Sequence, residues 1–152
     1  MQAGAQSRWT GAGLNNRWND AANWHPAGTP GELDDVLLDN SLFPSGYRVT
    51  LPDSAVRVKS LRILPGAATE IFVELPPSNL NSSPSGSTIF RAFETLGNGY
   101  TLEIGEGGTF LNAAGSSSGY ALRIGDSIRI ANGGRYIHRT RTGHAELVQQ
   151  LS

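Results

Sequence analysis

The sequence predicts an all-β fold, a β-solenoid with a Trp-rich cap at its N-terminal end, and three observations lead there. Gly99-Tyr100-Thr101-Leu102-Glu103-Ile104-Gly105 recurs as Gly119-Tyr120-Ala121-Leu122-Arg123-Ile124-Gly125, an offset of 20 residues. A second offset, of 26 residues, aligns Leu102, Ile104, Gly107, Gly108, Phe110 and Leu111 with Ile128, Ile130, Gly133, Gly134, Tyr136 and Ile137. Both offsets have the length of a repeat unit. Composition agrees, because 19 Gly and 8 Pro against a single Met favour turns and short strands over helices.

The physical reading follows from the alternation. Leu-x-Ile and Ile-x-Ile put apolar residues on one face, and the Gly-rich corners turn the chain. One circuit of such a chain cannot bury its own apolar face. Stacking circuits about 4.8 Å apart satisfies each strand's backbone and lines the interior with aliphatic ladders. With the 26-residue offset as the stacking one, residues 120–124 form a third strand of the same circuit, and the 20-residue match relates neighbouring faces. The alternative is a jelly roll or β-sandwich, whose Gly-rich antiparallel strands resemble one another by chance.

A chain of 152 residues suits one domain that buries about 68–70% of its unfolded surface. It has no Cys, hence no disulfide and no thiolate metal site. A formal charge of −1 supplies no basic field for nucleic acid, and no run of apolar residues is long enough for membrane insertion.

Taken in order, residues 1–7 read as a flexible tail or the remnant of a signal site, since Ala3-Gly4-Ala5 has the small-x-small form of a cleavage site. Export to a secreted or cell-surface location is the expectation. Residues 8–40 read as the cap. They hold all three tryptophans, Trp9, Trp18 and Trp24, and large amphipathic aromatics suit the covering of exposed strand edges.

The order Trp9-Thr10-Gly11, then Trp18 with Asn23-Trp24, then Pro30 with Asp34-Asp35-Val36, resembles the start of large bacterial secreted β-helix surface proteins, adhesin-like or autotransporter-like exoproteins. Asn132-Gly133-Gly134-Arg135-Tyr136-Ile137-His138 is similar to circuits of such proteins. The resemblance implies a right-handed parallel β-helix forming one part of a much longer polypeptide. It implies no catalytic residues.

Residues 41–152 are expected to be the rungs of that helix. Strands are predicted at Tyr47 to Leu51, Val56 to Val58, Leu61 to Leu64 and Glu70 to Leu75, with Pro65-Gly66 turning the chain. Residues 76–88, almost without apolar side chains, are predicted to be an exposed, mobile insertion. The tail places Leu147, Val148 and Leu151 at helical spacing, which fits a short helix as well as an unfinished rung. With no evident capping segment after it, the chain reads as a fragment whose exposed end favours end-to-end self-association.

Three groups carry candidate chemistry. Glu32, Asp34, Asp35 and Asp39 match no calcium loop and read as turn formers. Trp9, Trp18 and Trp24 are candidate ligand-binding residues if they stack on sugar rings, and core residues if they form the cap. Arg135, Arg139 and Arg141 are the other candidates, because planar guanidinium forks match uronate carboxylates. The three histidines have no zinc-ligand spacing, and no metal, cofactor or catalytic residue is assigned. The expected function is a non-catalytic structural or adhesive segment, with the rest of a longer chain as its partner. The alternative is a carbohydrate-binding module, or part of a polysaccharide lyase or hydrolase, that engages cell-surface glycans or polysaccharide.

Overall fold

The computed structural model describes residues 4–151. Among the described residues, thirteen short strands make an all-β structure with almost no helix: β1 (Gln6–Trp9), β2 (Trp24–His25), β3 (Asp35–Leu38), β4 (Tyr47–Thr50), β5 (Val56–Val58), β6 (Ser60–Ile63), β7 (Ile71–Leu75), β8 (Phe93–Thr95), β9 (Tyr100–Ile104), β10 (Gly108–Asn112), β11 (Leu122–Ile124), β12 (Ser127–Ile130) and β13 (Arg135–His138). A 3-10 turn at Ala21–Asn23 and a four-residue helix α1 (Ala145–Val148) complete the chain. No described helix is long and apolar enough to cross a membrane.

The strands form three open sheets in the orders β12-β9-β6-β3-β1-β2, β13-β10-β7-β4 and β11-β8-β5. From β3 onward the chain visits the first, second and third sheet in turn, so each strand pairs with the strand three places later. Every pairing is parallel except that of β1 with β2. The antiparallel jelly roll or sandwich is therefore not the arrangement adopted.

The 26-residue offset is the pairing register. Leu102 lies beside Ile128, Ile104 beside Ile130, Phe110 beside Tyr136 and Leu111 beside Ile137. The 20-residue match relates β9 of the first sheet to β11 of the third. Pairing in register stacks like on like, so Val36, Leu61, Leu102 and Ile128 form one buried ladder, and Val49, Val73 and Phe110 another that ends on partly buried Tyr136. At about 25 cal/mol per Å2 of apolar surface, these ladders dominate the favourable side of folding. Gly107 and Gly133 turn equivalent corners with φ of 81° and 84°, and the Gly107 amide donates to the Gly133 carbonyl at 3.1 Å. Left-handed backbone of this kind selects glycine.

Several boundaries differ from those expected. Gln6 and Ser7 belong to β1, because their backbone pairs with Asp35 and Val36, so the ordered chain starts before Arg8. The signal-site reading of Ala3 lies outside the described residues. Within 8–40, β3 is already a member of the parallel stack. In the segment expected to be an exposed insertion, Asn79 and Ser83 are buried. The Asn79 side-chain Nδ2 donates to the carbonyls of Pro52 and Ser54, and the Ser83 backbone bridges Tyr120. The polar composition is spent on hydrogen bonds to neighbouring corners. The tail takes both expected forms, since α1 is followed by a parallel bridge between Leu151 and Ile128.

Candidate functional site

The tryptophans are placed by three separate local decisions. Trp9 ends β1 and Trp24 opens β2, and the antiparallel pairing of these strands sets them opposite each other. Trp18 is held by its amide donating to the Thr50 carbonyl of β4 at 3.0 Å. Asn23 organises the loop between them: its side chain accepts from Gly13 N at 2.9 Å and donates to the Arg17 carbonyl at 3.0 Å. Asp20 caps the 3-10 turn by accepting from the Ala22 amide and also accepts from the Asn15 side chain. These two bonds hold its carboxyl below the usual carboxylate range.

The three indoles then interlock. Trp9 meets Trp24 edge to face at 5.3 Å between ring centroids, Trp24 meets Trp18 at 4.9 Å, and Trp18 reaches Phe93 at 6.4 Å. All three are buried. Their faces are occupied by one another and by Tyr47, which stacks on Trp9 at 5.7 Å. The sugar-stacking role for Trp9, Trp18 and Trp24 is thus corrected: no indole presents a face to solvent, and the trio closes the edge where the first sheet begins.

The acidic group is dispersed among separate partners. Asp34 accepts from the amides of Ala5 and Gly31, Asp35 from Ser60 Oγ at 2.6 Å, and Asp39 from Ser41. Glu32 pairs with Arg57, which also bonds Glu94 at 2.9 Å. Glu94 is buried between Arg57 and Arg123, which are its neighbours along the third sheet.

At the opposite edge, Arg135, Arg139 and Arg141 are exposed, and none takes part in an ion pair among the described residues. The intervening side chains turn inward. Tyr136 Oη accepts from Asn112 Nδ2 at 3.1 Å and lies 2.9 Å from His138 Nδ1, while His138 Nε2 sits 2.9 Å from the Thr142 carbonyl. Burial pushes the Tyr136 hydroxyl up to about 12, with the Asn112 bond pulling the other way. No family model, curated protein or solved structure matches the chain. Its chemistry is therefore read from these residues alone.

Beside Tyr136, the last apolar residues of the stack face α1 across a groove of about 180 Å3 bordered by Ile128, Ile130, His144, Leu147 and Val148. Val148 and Leu151 are about half exposed there. One further group escaped the sequence reading. Arg91 is 1% exposed, donates to Ser83 Oγ and to the Leu122 and Pro84 carbonyls, and forms an ion pair with Glu146 of α1. That pair holds the Glu146 carboxyl below its ordinary range, against a smaller opposing effect of burial. Arg91 lies within Ile89-Phe90-Arg91-Ala92-Phe93, and a lone Arg between apolar neighbours reads as the solvent-facing member of such a run, since arginine is almost never fully buried unless paired.

Proposed function

We propose that the chain is a non-catalytic structural or adhesive segment of a larger exported bacterial surface protein: the N-terminal cap and first rungs of a right-handed parallel β-helix. One observation carries the reading, the difference between the two edges of the stack. Three interlocked indoles cover the edge beyond β3, whereas β13 has no strand beyond it among the described residues and continues the register of β10, with only the four-residue α1 and the single Leu151 bridge to Ile128 lying at that end. A stack capped at one edge and in register at the other is suited to prolongation by further rungs of the same kind, which are the partner in this reading. The right hand follows from the strong preference of parallel crossover connections for that sense. Secretion or cell-surface display follows from the same resemblance of the Trp-Gly, Asn-Trp and Asp-Asp-Val order.

The test is to lengthen the stack. A second copy of residues 102–127, inserted before Ile128, adds one 26-residue rung in register. The expected product is folded, unfolds cooperatively, and has a steeper urea dependence because more surface is buried. Loss of cooperative folding in the lengthened chain overturns the reading.

A second reading rests on Arg135, Arg139 and Arg141. Exposed and free of ion pairs among the described residues, they present guanidinium forks that suit the carboxylates of an acidic polysaccharide. Binding to a uronate polymer that is lost in a folded Arg135→Ala/Arg139→Ala/Arg141→Ala variant favours a carbohydrate-binding module. Absence of binding leaves the structural reading.

A further inference from the structure

We infer that the groove at the β13 edge receives the Leu14 loop of a second copy of this chain, so that the protein associates head to tail. Leu14 is 94% exposed and holds a left-handed backbone, φ 58°. A branched apolar residue is disfavoured on both counts, and inside its own chain this one touches nothing that compensates. The loop that bears it is nevertheless fixed. Thr50 donates to the Asn16 carbonyl at 2.7 Å, and Gly13 donates to the buried Asn23 side chain. The apolar side chain is held out on a rigid support.

The groove is its complement in place, size and charge. Asn16 and Trp18 pair with β4, the first strand of the second sheet, while Tyr136 belongs to β13, the last strand of that sheet. Leu14 and the groove therefore lie beyond opposite edges of one sheet and cannot meet within one chain. Translation of a copy along the stacking direction brings them together. A cavity of about 150 Å3 lined by aliphatic groups takes up benzene, and the groove, about 180 Å3, has room for a leucine side chain. Residues 1–58, through the first stacked strand of each sheet, hold four arginines against six carboxylates, and residues 120–152 hold five arginines against two carboxylates. The two ends thus carry net charges of opposite sign. A tail-to-tail pair would set the arginine-rich ends against each other, whereas a head-to-tail pair sets arginines against carboxylates. Such an interface is heterologous and leaves one free end of each kind, so it propagates.

Sedimentation of the full chain tests this. The wild type is expected to show a weight-average mass that climbs with concentration above the 16.2 kDa of one chain, less steeply as salt is added. Leu14→Asn, which tolerates the left-handed backbone, and Val148→Gln, in the groove, each leave one end intact and are both expected to stay monomeric alone. Mixed in equal amounts, they pair the intact groove of one with the intact Leu14 of the other and give two-chain particles and nothing larger. A wild type that stays at one chain at every concentration overturns the proposal. So does a Leu14→Asn variant that still associates, which would mean a symmetric tail-to-tail contact, and so does a mixture that stays monomeric. A further rung of a longer polypeptide would cover this groove, so the contact is one made by the 152-residue chain itself; because the lengthened-stack experiment reads folding and this one reads mass, the two proposals fail separately.

Discussion

The indole Nε1 of Trp24 donates a 2.7 Å hydrogen bond to the main-chain carbonyl of Trp18, in a site closed to solvent. The Trp18 indole nitrogen, equally buried, has no acceptor among the described residues. Two residues of one type in one cluster are therefore predicted to respond differently to the same substitution. Trp24→Phe removes a donor and strands a buried carbonyl, costing about 2–3 kcal/mol, whereas Trp18→Phe also removes an unsatisfied N–H and costs about 1 kcal/mol. Urea unfolding of the two variants checks the order, and equal losses would show that ring volume alone matters.

The ion pair between Arg91 and Glu146 predicts an acid limb in stability. Because the folded state lowers the Glu146 value, its contribution is complete above the ordinary carboxylate range and is lost as pH falls through the lower folded value. Glu146→Gln is expected to cost about 1–2 kcal/mol near neutrality, since Arg91 keeps three neutral oxygen partners, and to flatten the acid limb. Thermal unfolding across the acid range, wild type against variant, reads both effects. Faster hydrogen exchange confined to α1 would show that the pair anchors the tail.

Tyr136 governs part of the alkaline limb. Its hydroxyl is raised to about 12 by burial, so the folded chain keeps a proton that the unfolded chain gives up near 10. Stability from this group is present below roughly pH 10 and disappears as pH rises through about 12. Tyr136→Phe makes that decline shallower without abolishing it, because burial and the nearby Asp39 charge raise Tyr47 as well. Denaturant midpoints measured from neutral to alkaline pH distinguish the two slopes.

Glycine positions give a steric contrast. Gly99 and Gly107 share left-handed backbone, with φ of 75° and 81°, but a Cβ at Gly99 meets open space while one at Gly107 falls 2.4 Å from the Thr69 carbonyl oxygen. Gly99→Ala is expected to cost about 1 kcal/mol, from backbone conformation alone. Gly107→Ala adds a backbone clash and is expected to cost more than twice that. Ala68→Gly, at an exposed residue with φ 61°, reverses the first effect and gains about 0.5–1 kcal/mol. Calorimetry of the three variants fixes the order.

The sequence revealed what is periodic and concealed what is not. The 26-residue register was readable because in-register pairing stacks similar residues, so Leu102 above Ile128 and Gly107 above Gly133 leave a repeating trace. β8 left none. Its central residue is Glu94, whose burial is offset by Arg57 and Arg123 from the strands on either side, and no window of sequence contains those partners. Tryptophan is equally at home under a cap and on a sugar, so Trp9, Trp18 and Trp24 were ambiguous until their mutual contacts were known. The Leu14 knob was invisible for a different reason: single exposed leucines are ordinary, and only its rigid left-handed support sets it apart.

The third corner has an engineering consequence. Between the second and third sheets the chain spends residues 51–55 in the first passage, 76–92 in the second and 113–121 in the third, yet β5, β8 and β11 stay in unbroken parallel register. Loop length there is decoupled from strand placement, since closing a longer loop costs little extra entropy. That corner is a splice point: a foreign peptide grafted between Ser85 and Ser87 would ride on the outside of a scaffold whose interior does not register its arrival.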